Sequence, residues 1–286
     1  ADRATLSHHI GDLKNQSVID SLQQAAVHLQ KLLAIRPQLV AHDLHPDYSS
    51  TSVAQQLGLP TLAVQHHHAH LASCLADNGR DERAIGVIFD GVGLGSDGHI
   101  WGGEFLIGNF GGFERVGHLA ELAMPGGDAA TREPWRMALS LLHATYGENL
   151  PDITFLNKIP AADRKLLLQM IQKGINAPLT SSCGRLFDAV AALAGLRQRV
   201  SYEGQAALEL EMCLEHGSEL QPYHFTLLKQ DHKLIVDPGV MTKELVADLQ
   251  QGRGAGLISS RFHLGLAEVI LQVCLELRNE RGSLPV

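Results

Sequence analysis

An α/β chain folded as two lobes is the class this sequence predicts, and three observations carry it. In the first third, helical stripes alternate with short apolar strand-like runs, the pattern of a partly parallel sheet with helices packed on it. A glycine-rich β-hairpin follows, and from Arg132 onward helical patterns dominate. At 286 residues the chain has also reached the length at which one hydrophobic core stops growing. The change of character falls within 124–133, and we expect the lobes to be 1–128 and 129–286.

Val18, Ile19, Leu22, Ala25, Ala26, Leu29, Leu32 and Leu33 recur at three and four residues, an amphipathic stripe closed by Pro37. Leu39-Val40-Ala41 and Leu62-Ala63-Val64 read as short buried strands, with a helix-like piece over 52–57 between them. A helix over about 66–75 and a strong strand over 84–90 come next. Ser96-Asp97-Gly98 then forms the turn of the hairpin, and a further strand is expected over 113–122. Helices are expected over about 133–146, 161–173, 186–196 and 206–215. A polar β pair over 223–228 and 233–236 follows, then helices over about 243–251 and 260–281. Leu284-Pro-Val286 reads as the start of another strand, so we expect a fragment of a longer chain.

With 45% apolar and 19% charged residues, disordered and fibrous classes are excluded. Contiguous apolar runs such as Ala84-Ile-Gly-Val-Ile-Phe89 are far short of the roughly 18 residues of a membrane span. No basic leader with an apolar stretch opens the sequence. A net charge of −8, with 16 histidines counted neutral, argues against nucleic acid as a bulk partner. Cys74, Cys183, Cys213 and Cys274 form no CxxC pair and read as buried free thiols, which favours a reducing, cytoplasmic setting.

Chemistry concentrates in a few segments. In His66-His67-His68-Ala-His70, His66 and His70 are four apart and share a helical face, as metal-binding pairs do. A solvated histidine-rich helix start is the alternative; four histidines in five residues directly after a strand favour the metal. The glutamate of HExxH is missing, so metalloprotease chemistry is not indicated. Asp90-Gly91-Val-Gly93-Leu-Gly95 puts an acidic residue and then glycines at a strand end, suited to a metal or phosphate meeting backbone N–H groups, or to an ordinary hairpin. No Walker A loop, dinucleotide fingerprint or EF-hand fits it. In Ser181-Ser182-Cys-Gly184-Arg185-Leu-Phe-Asp188, either serine can cap a helix whose first turn faces an anion or sugar, with Asp188 open to a ribose hydroxyl or to water. Tyr202-Glu203-Gly204-Gln205, leading to Glu209, is a similar glycine-before-helix junction. Asp43-Leu-His45-Pro-Asp47-Tyr48 reads equally as a site loop or a proline turn, and Arg132-Glu-Pro-Trp-Arg136 as anion binding or surface packing.

Together with Ser7-His8-His9-Ile-Gly-Asp12-Leu13 and Ile100-Trp-Gly-Gly-Glu104, these segments resemble the HypF carbamoyltransferases of NiFe-hydrogenase maturation, over nearly the whole chain. The resemblance implies the C-terminal transferase part of that family, with a two-lobed actin/sugar-kinase-like ATPase fold (ASKHA) incomplete at its C-terminus. The family's acylphosphatase-like domain, zinc segments and YrdC-like domain do not occur in this sequence, nor does its last phosphate loop with a further acidic metal ligand. In such enzymes carbamoyl phosphate and ATP give carbamoyl adenylate, and the part seen here passes the carbamoyl group to the C-terminal cysteine of HypE. Carried over, His66, His70 and Asp90 would hold a divalent metal (zinc, iron or magnesium), and Gly91, Asp188, Gly204 and Glu209 would contact ATP or the adenylate. No membrane or nucleic-acid partner is expected, and no catalytic base stands out. A small-molecule kinase of the same fold and a non-catalytic nucleotide-binding module are the rival readings; histidine ligands argue against the first, since phosphoryl-transfer sites hold Mg²⁺ through oxygens.

Overall fold

The computed structural model describes residues 3–215, 217 and 220–286. Two compact units divide between Ala69 and His70. The first holds α1 (Gln16–Leu32), β1 (Val40–Asp43), α2 (Ser49–Gln56) and β2 (Thr61–Val64). β1 and β2 pair in parallel, Val40 opposite Thr61 and Asp43 opposite Val64, with α2 in the crossover between them. The expectation of buried strands does not hold here: Leu39 is 53% and Leu62 is 52% exposed, and α1 buries Ala25 alone. Two four-residue strands are too small a sheet to cover both of their own faces.

Helix α3 (His66–Asp77) begins in the first unit and runs into the second. The second continues with β3 (Ala84–Leu94), β4 (Ile100–Asn109), β5 (Gly112–Leu119), β6 (Leu122–Ala123), α4 (Asp128–Arg132), α5 (Pro134–Tyr146), α6 (Thr154–Asn157) and α7 (Ala161–Lys173). It ends with β7 (Leu179–Thr180), α8 (Cys183–Leu193), α9 (Gln205–Met212), β8 (Thr226–Gln230), β9 (Lys233–Asp237), α10 (Gly239–Gln250) and α11 (Ala255–Arg281). Strands β3, β4 and β5 form an antiparallel meander, and β9 joins β5 in parallel with β8 outside it. Beyond the end of β5, the flank of β4 is taken by β7, where Ile100 lies opposite Thr180, and β6 pairs antiparallel to β7.

The core of this unit forms around α8 and α5. Helix α8 buries nine residues, Cys183, Arg185, Leu186 and Asp188 through Leu193, as a helix inside a core must. Ser182 caps it by accepting from the Arg185 N–H. Helix α5 starts with Pro134 in its first turn and buries Met137 through Leu142. Among the described residues α11 is long and apolar enough to cross a membrane by length and composition, yet half of its apolar window is buried in the protein. Ile258, Phe262, Leu266, Val269 and Val273 pack into the core, and the Phe262 ring meets Phe187 edge-on at 4.9 Å. Contiguous runs hide this, because polar residues interrupt the stripe.

Leu139 is fully buried in this core. Leu139→Ala is expected to lower stability by about 2–5 kcal/mol, through lost burial and a residual cavity, measured by chemical denaturation.

Candidate metal and nucleotide site

The site begins with a break in a strand pairing. Phe89 lies opposite Gly103 and Gly93 opposite Trp101, so four steps on β3 match two on β4. Asp90, Gly91 and Val92 are displaced from the ladder, as in a β-bulge. The Gly91 N–H turns back to Asp90 Oδ1 at 2.6 Å. Oδ2 of the same carboxylate is 3.8 Å from His70 Nε2.

His66 precedes His70 by one turn of α3, as the four-residue spacing predicts. His70 and Asp90 belong to the second unit, and His66 to the first, one turn earlier on the same helix. Tetrahedral ligation at about 2.1 Å requires ligand atoms about 3.4 Å apart, close to the 3.8 Å between His70 Nε2 and Asp90 Oδ2. Two imidazoles and a carboxylate form a donor set suited to zinc or iron, and less to magnesium. The residues fit a divalent ion.

The start of α8 meets the displaced turn directly. Ser182 Oγ lies 2.9 Å from the Asp90 carbonyl and donates to that of Gly91. A Cβ added at Gly184 would stand 2.9 Å from Gly91 Cα and 3.2 Å from the Asp90 carbonyl oxygen, so this first-turn position requires glycine. A Cβ at Gly91 would be 3.6 Å from Glu203 Oε1 and 3.7 Å from Arg185 Nη2, which brings the 90–91, 184–185 and 202–204 junctions together. Asp188 is 4% exposed, and its Oδ2 lies 3.0 Å from Arg185 Nη1. Burial pushes its carboxyl up to about 6, partly opposed by the Arg185 guanidinium. Gly204 is the left-handed N-cap of α9 (φ 77°), with no heavy atom within 4 Å of where a Cβ would point. Glu209 is already engaged: Arg197 Nε holds it at 2.6 Å and Gln205 donates to it at 3.0 Å.

The spacing arguments missed one buried network. Glu104 is wholly buried on β4, where Arg115 Nε donates to it at 2.6 Å and Ser181 Oγ at 2.5 Å. Arg115 also reaches Asp97 Oδ2 at 3.0 Å and stacks 4.0 Å over the Trp101 ring. A carboxylate at an inward strand position, with an arginine on the next strand, was the available signal. Asp97, His99 and Glu121 form a second group with ligand atoms within 4.8 Å of one another. A cation there would face the Arg115 guanidinium, and Glu121 already holds His99 Nδ1 at 2.8 Å. Of the cysteines, Cys183 and Cys274 are buried as expected, Cys213 is half-buried and Cys74 is exposed on α3.

Family comparison reaches both units. The profile of the HypF Kae1-like domain matches residues 1–77, and that of the carbamoyltransferase Kae1-like domain, second subdomain, matches 86–286. The chain is similar to carbamoyltransferase HypF2 of Cupriavidus necator, 52% identical over 223 residues, covering 76% of this chain and 27% of that protein. It is 36% identical to carbamoyltransferase HypF of Synechocystis over 299 residues, covering 99% of this chain and 39% of that protein. A crystal structure of full-length HypF in its phosphate- and nucleotide-bound form superposes with a TM-score of 0.90 at 36% identity, covering 96% of this chain and 36% of that one. The chain thus spans about a quarter to two fifths of the length of these relatives.

Two outcomes follow from the α8 junction. Gly184→Ala should cost about 1–3 kcal/mol in chemical denaturation, because backbone rather than a flexible side chain stands in the way. A carboxyl whose folded value exceeds its unfolded one keeps its proton longer in the native state. Relative to Asp188→Asn, the stability of the wild type should therefore fall by on the order of 3 kcal/mol as pH rises from about 4 to about 6. Denaturation curves of both proteins across that range check the sign.

Proposed function

Because the chain belongs to the HypF carbamoyltransferase family through its Kae1-like domain, we propose that it transfers a carbamoyl group from carbamoyl adenylate to the C-terminal cysteine thiolate of HypE. The thiolate sulfur bonds to the carbamoyl carbon, the bond from that carbon to the adenylate phosphate oxygen breaks, and AMP leaves. In this reading carbamoyl phosphate and ATP are turned into the adenylate by other parts of a longer protein, in the cytoplasm, and the product supplies cyanide ligands for NiFe-hydrogenase. The division into lobes 1–128 and 129–286 belongs to the same proposal.

The observation that carries the reading is the meeting of two features at one turn. Asp90 comes within 3.8 Å of His70 on one side, and the capped start of α8 abuts Asp90 and Gly91 on the other. His66, His70 and Asp90 would hold a divalent ion, which would screen phosphate charge and act as a Lewis acid. The N–H groups at the start of α8 favour an anion near Gly91. Asp188 would accept from a ribose hydroxyl, Gly204 would let the backbone approach the nucleotide, and Glu209 would have to exchange Arg197 for it. The protein's task is then largely to position a nucleophile that is already reactive once deprotonated.

Supplied with carbamoyl adenylate and HypE, an intact version of this domain should give a carbamoyl-cysteine adduct visible by mass spectrometry of the HypE C-terminal peptide. Asp90→Ala and the pair His66→Ala with His70→Ala should reduce transfer to background and release bound metal. Asp188→Ala should mainly raise the nucleotide concentration required, because a ribose contact adds binding common to ground and transition states. Undiminished transfer by Asp90→Ala would overturn the assignment.

A further inference from the structure

Within the first unit, one carboxylate is aimed at a proposed metal ligand. Asp43 is the last residue of β1 and lies opposite Val64, the last of β2. Both therefore sit at the carboxyl end of a parallel pair, where α/β sheets collect functional groups. Two residues beyond Val64 the chain enters α3 at His66, and His66 Nδ1 lies 2.7 Å from Asp43 Oδ2. The two side chains are only 16% and 30% exposed.

The carboxylate is held from its other side as well. Asp43 Oδ1 accepts from the His45 N–H at 2.8 Å. The loop carrying that N–H is fixed by Thr51 Oγ1, which donates to the His45 carbonyl at 2.9 Å, and by the His45 ring stacked on Tyr48 at 4.2 Å. An ionised carboxylate can only accept, so the proton of this contact sits on His66 Nδ1. In a neutral imidazole the other nitrogen, Nε2, then carries the lone pair a metal requires.

We propose that Asp43 is a positioning residue for the metal centre: its hydrogen bond fixes the tautomer and ring orientation of His66 so that Nε2 is presented as a ligand. This rests on the metal assignment made above for His66, His70 and Asp90. It also gives the loop from Asp43 to Tyr48 a role beyond that of a proline turn.

Asp43→Asn separates this role from simple packing. The amide keeps the size of the side chain but has one acceptor and one donor. With its oxygen on the His45 N–H, its NH2 faces His66 Nδ1, which must then accept, and the proton moves to Nε2. The full chain is titrated with Co²⁺, following ligand-field absorption, for wild type, Asp43→Asn and the variant His66→Ala with His70→Ala. Imidazole ¹⁵N NMR on metal-free protein, with His66 assigned through His66→Ala, reads the tautomer. We expect Nδ1–H in wild type, Nε2–H in Asp43→Asn, and Co²⁺ affinity about 10–100-fold weaker in Asp43→Asn, the usual effect of losing an outer partner of a metal-bound histidine. An unchanged tautomer or unchanged affinity in Asp43→Asn, with Co²⁺ still lost in the double-histidine variant, overturns the role of Asp43 and leaves the metal assignment standing. Co²⁺ binding that is absent in wild type, or retained by the double-histidine variant, overturns both.

Discussion

Much of the second unit's chemistry depends on one serine hydroxyl. Ser182 accepts the Arg185 N–H and thereby caps α8, and the same oxygen reaches the carbonyls of Asp90 and Gly91. A buried helix start must satisfy its N–H groups, and a displaced turn must satisfy its carbonyls. One side chain serves both needs, which locks the end of β3 to the start of α8. Any residue larger than glycine at position 184 would force the two backbones apart. The location of Asp90 is thus tied to the start of α8 through its own carbonyl and that of Gly91.

Around that junction the structure places groups of opposite character in layers. Glu104 and Arg115 are buried behind the hairpin, where each offsets the desolvation of the other and Ser181 ties them to the strand before α8. Asp188 and Arg185 form a second buried pair deeper along α8. In front, His70 and Asp90 retain partial exposure. Charge is therefore paired where it is buried and left partly exposed at the displaced turn.

Periodicity was the reliable guide to most elements. The helix expected over 161–173 is α7 to the residue, and the hairpin turn at Ser96-Asp97-Gly98 lies between β3 and β4. Four-residue spacing correctly put His66 and His70 on one helix, and capping chemistry narrowed the start of α8 to Ser181 or Ser182, of which Ser182 is the cap. Pairwise contacts between distant segments were not legible. The Glu104–Arg115 and Asp43–His66 contacts join residues 11 and 23 apart in sequence, and no local pattern encodes them. The shift between Phe89 and Gly93 was hidden for another reason: the glycines there fit an ordinary hairpin equally well, and the register is decided by the partner strand. Burial misled at the first unit, where Leu39 and Leu62 are apolar yet half exposed, because hydrophobicity reports what a residue prefers and not how much protein is available to cover it.

The uneven exposure of the cysteines has a practical consequence. Cys74 is one helical turn beyond His70 on α3 and lines the same cavity of about 570 Å³. Cys183 is buried, and its thiol is held protonated by that burial, while Cys274 is buried as well. A maleimide dye or nitroxide offered to the folded protein will therefore discriminate strongly in favour of Cys74 over these two. With the half-buried Cys213 replaced, the sequence thus carries a native spectroscopic reporter position beside His70, able to watch the site while ligands come and go.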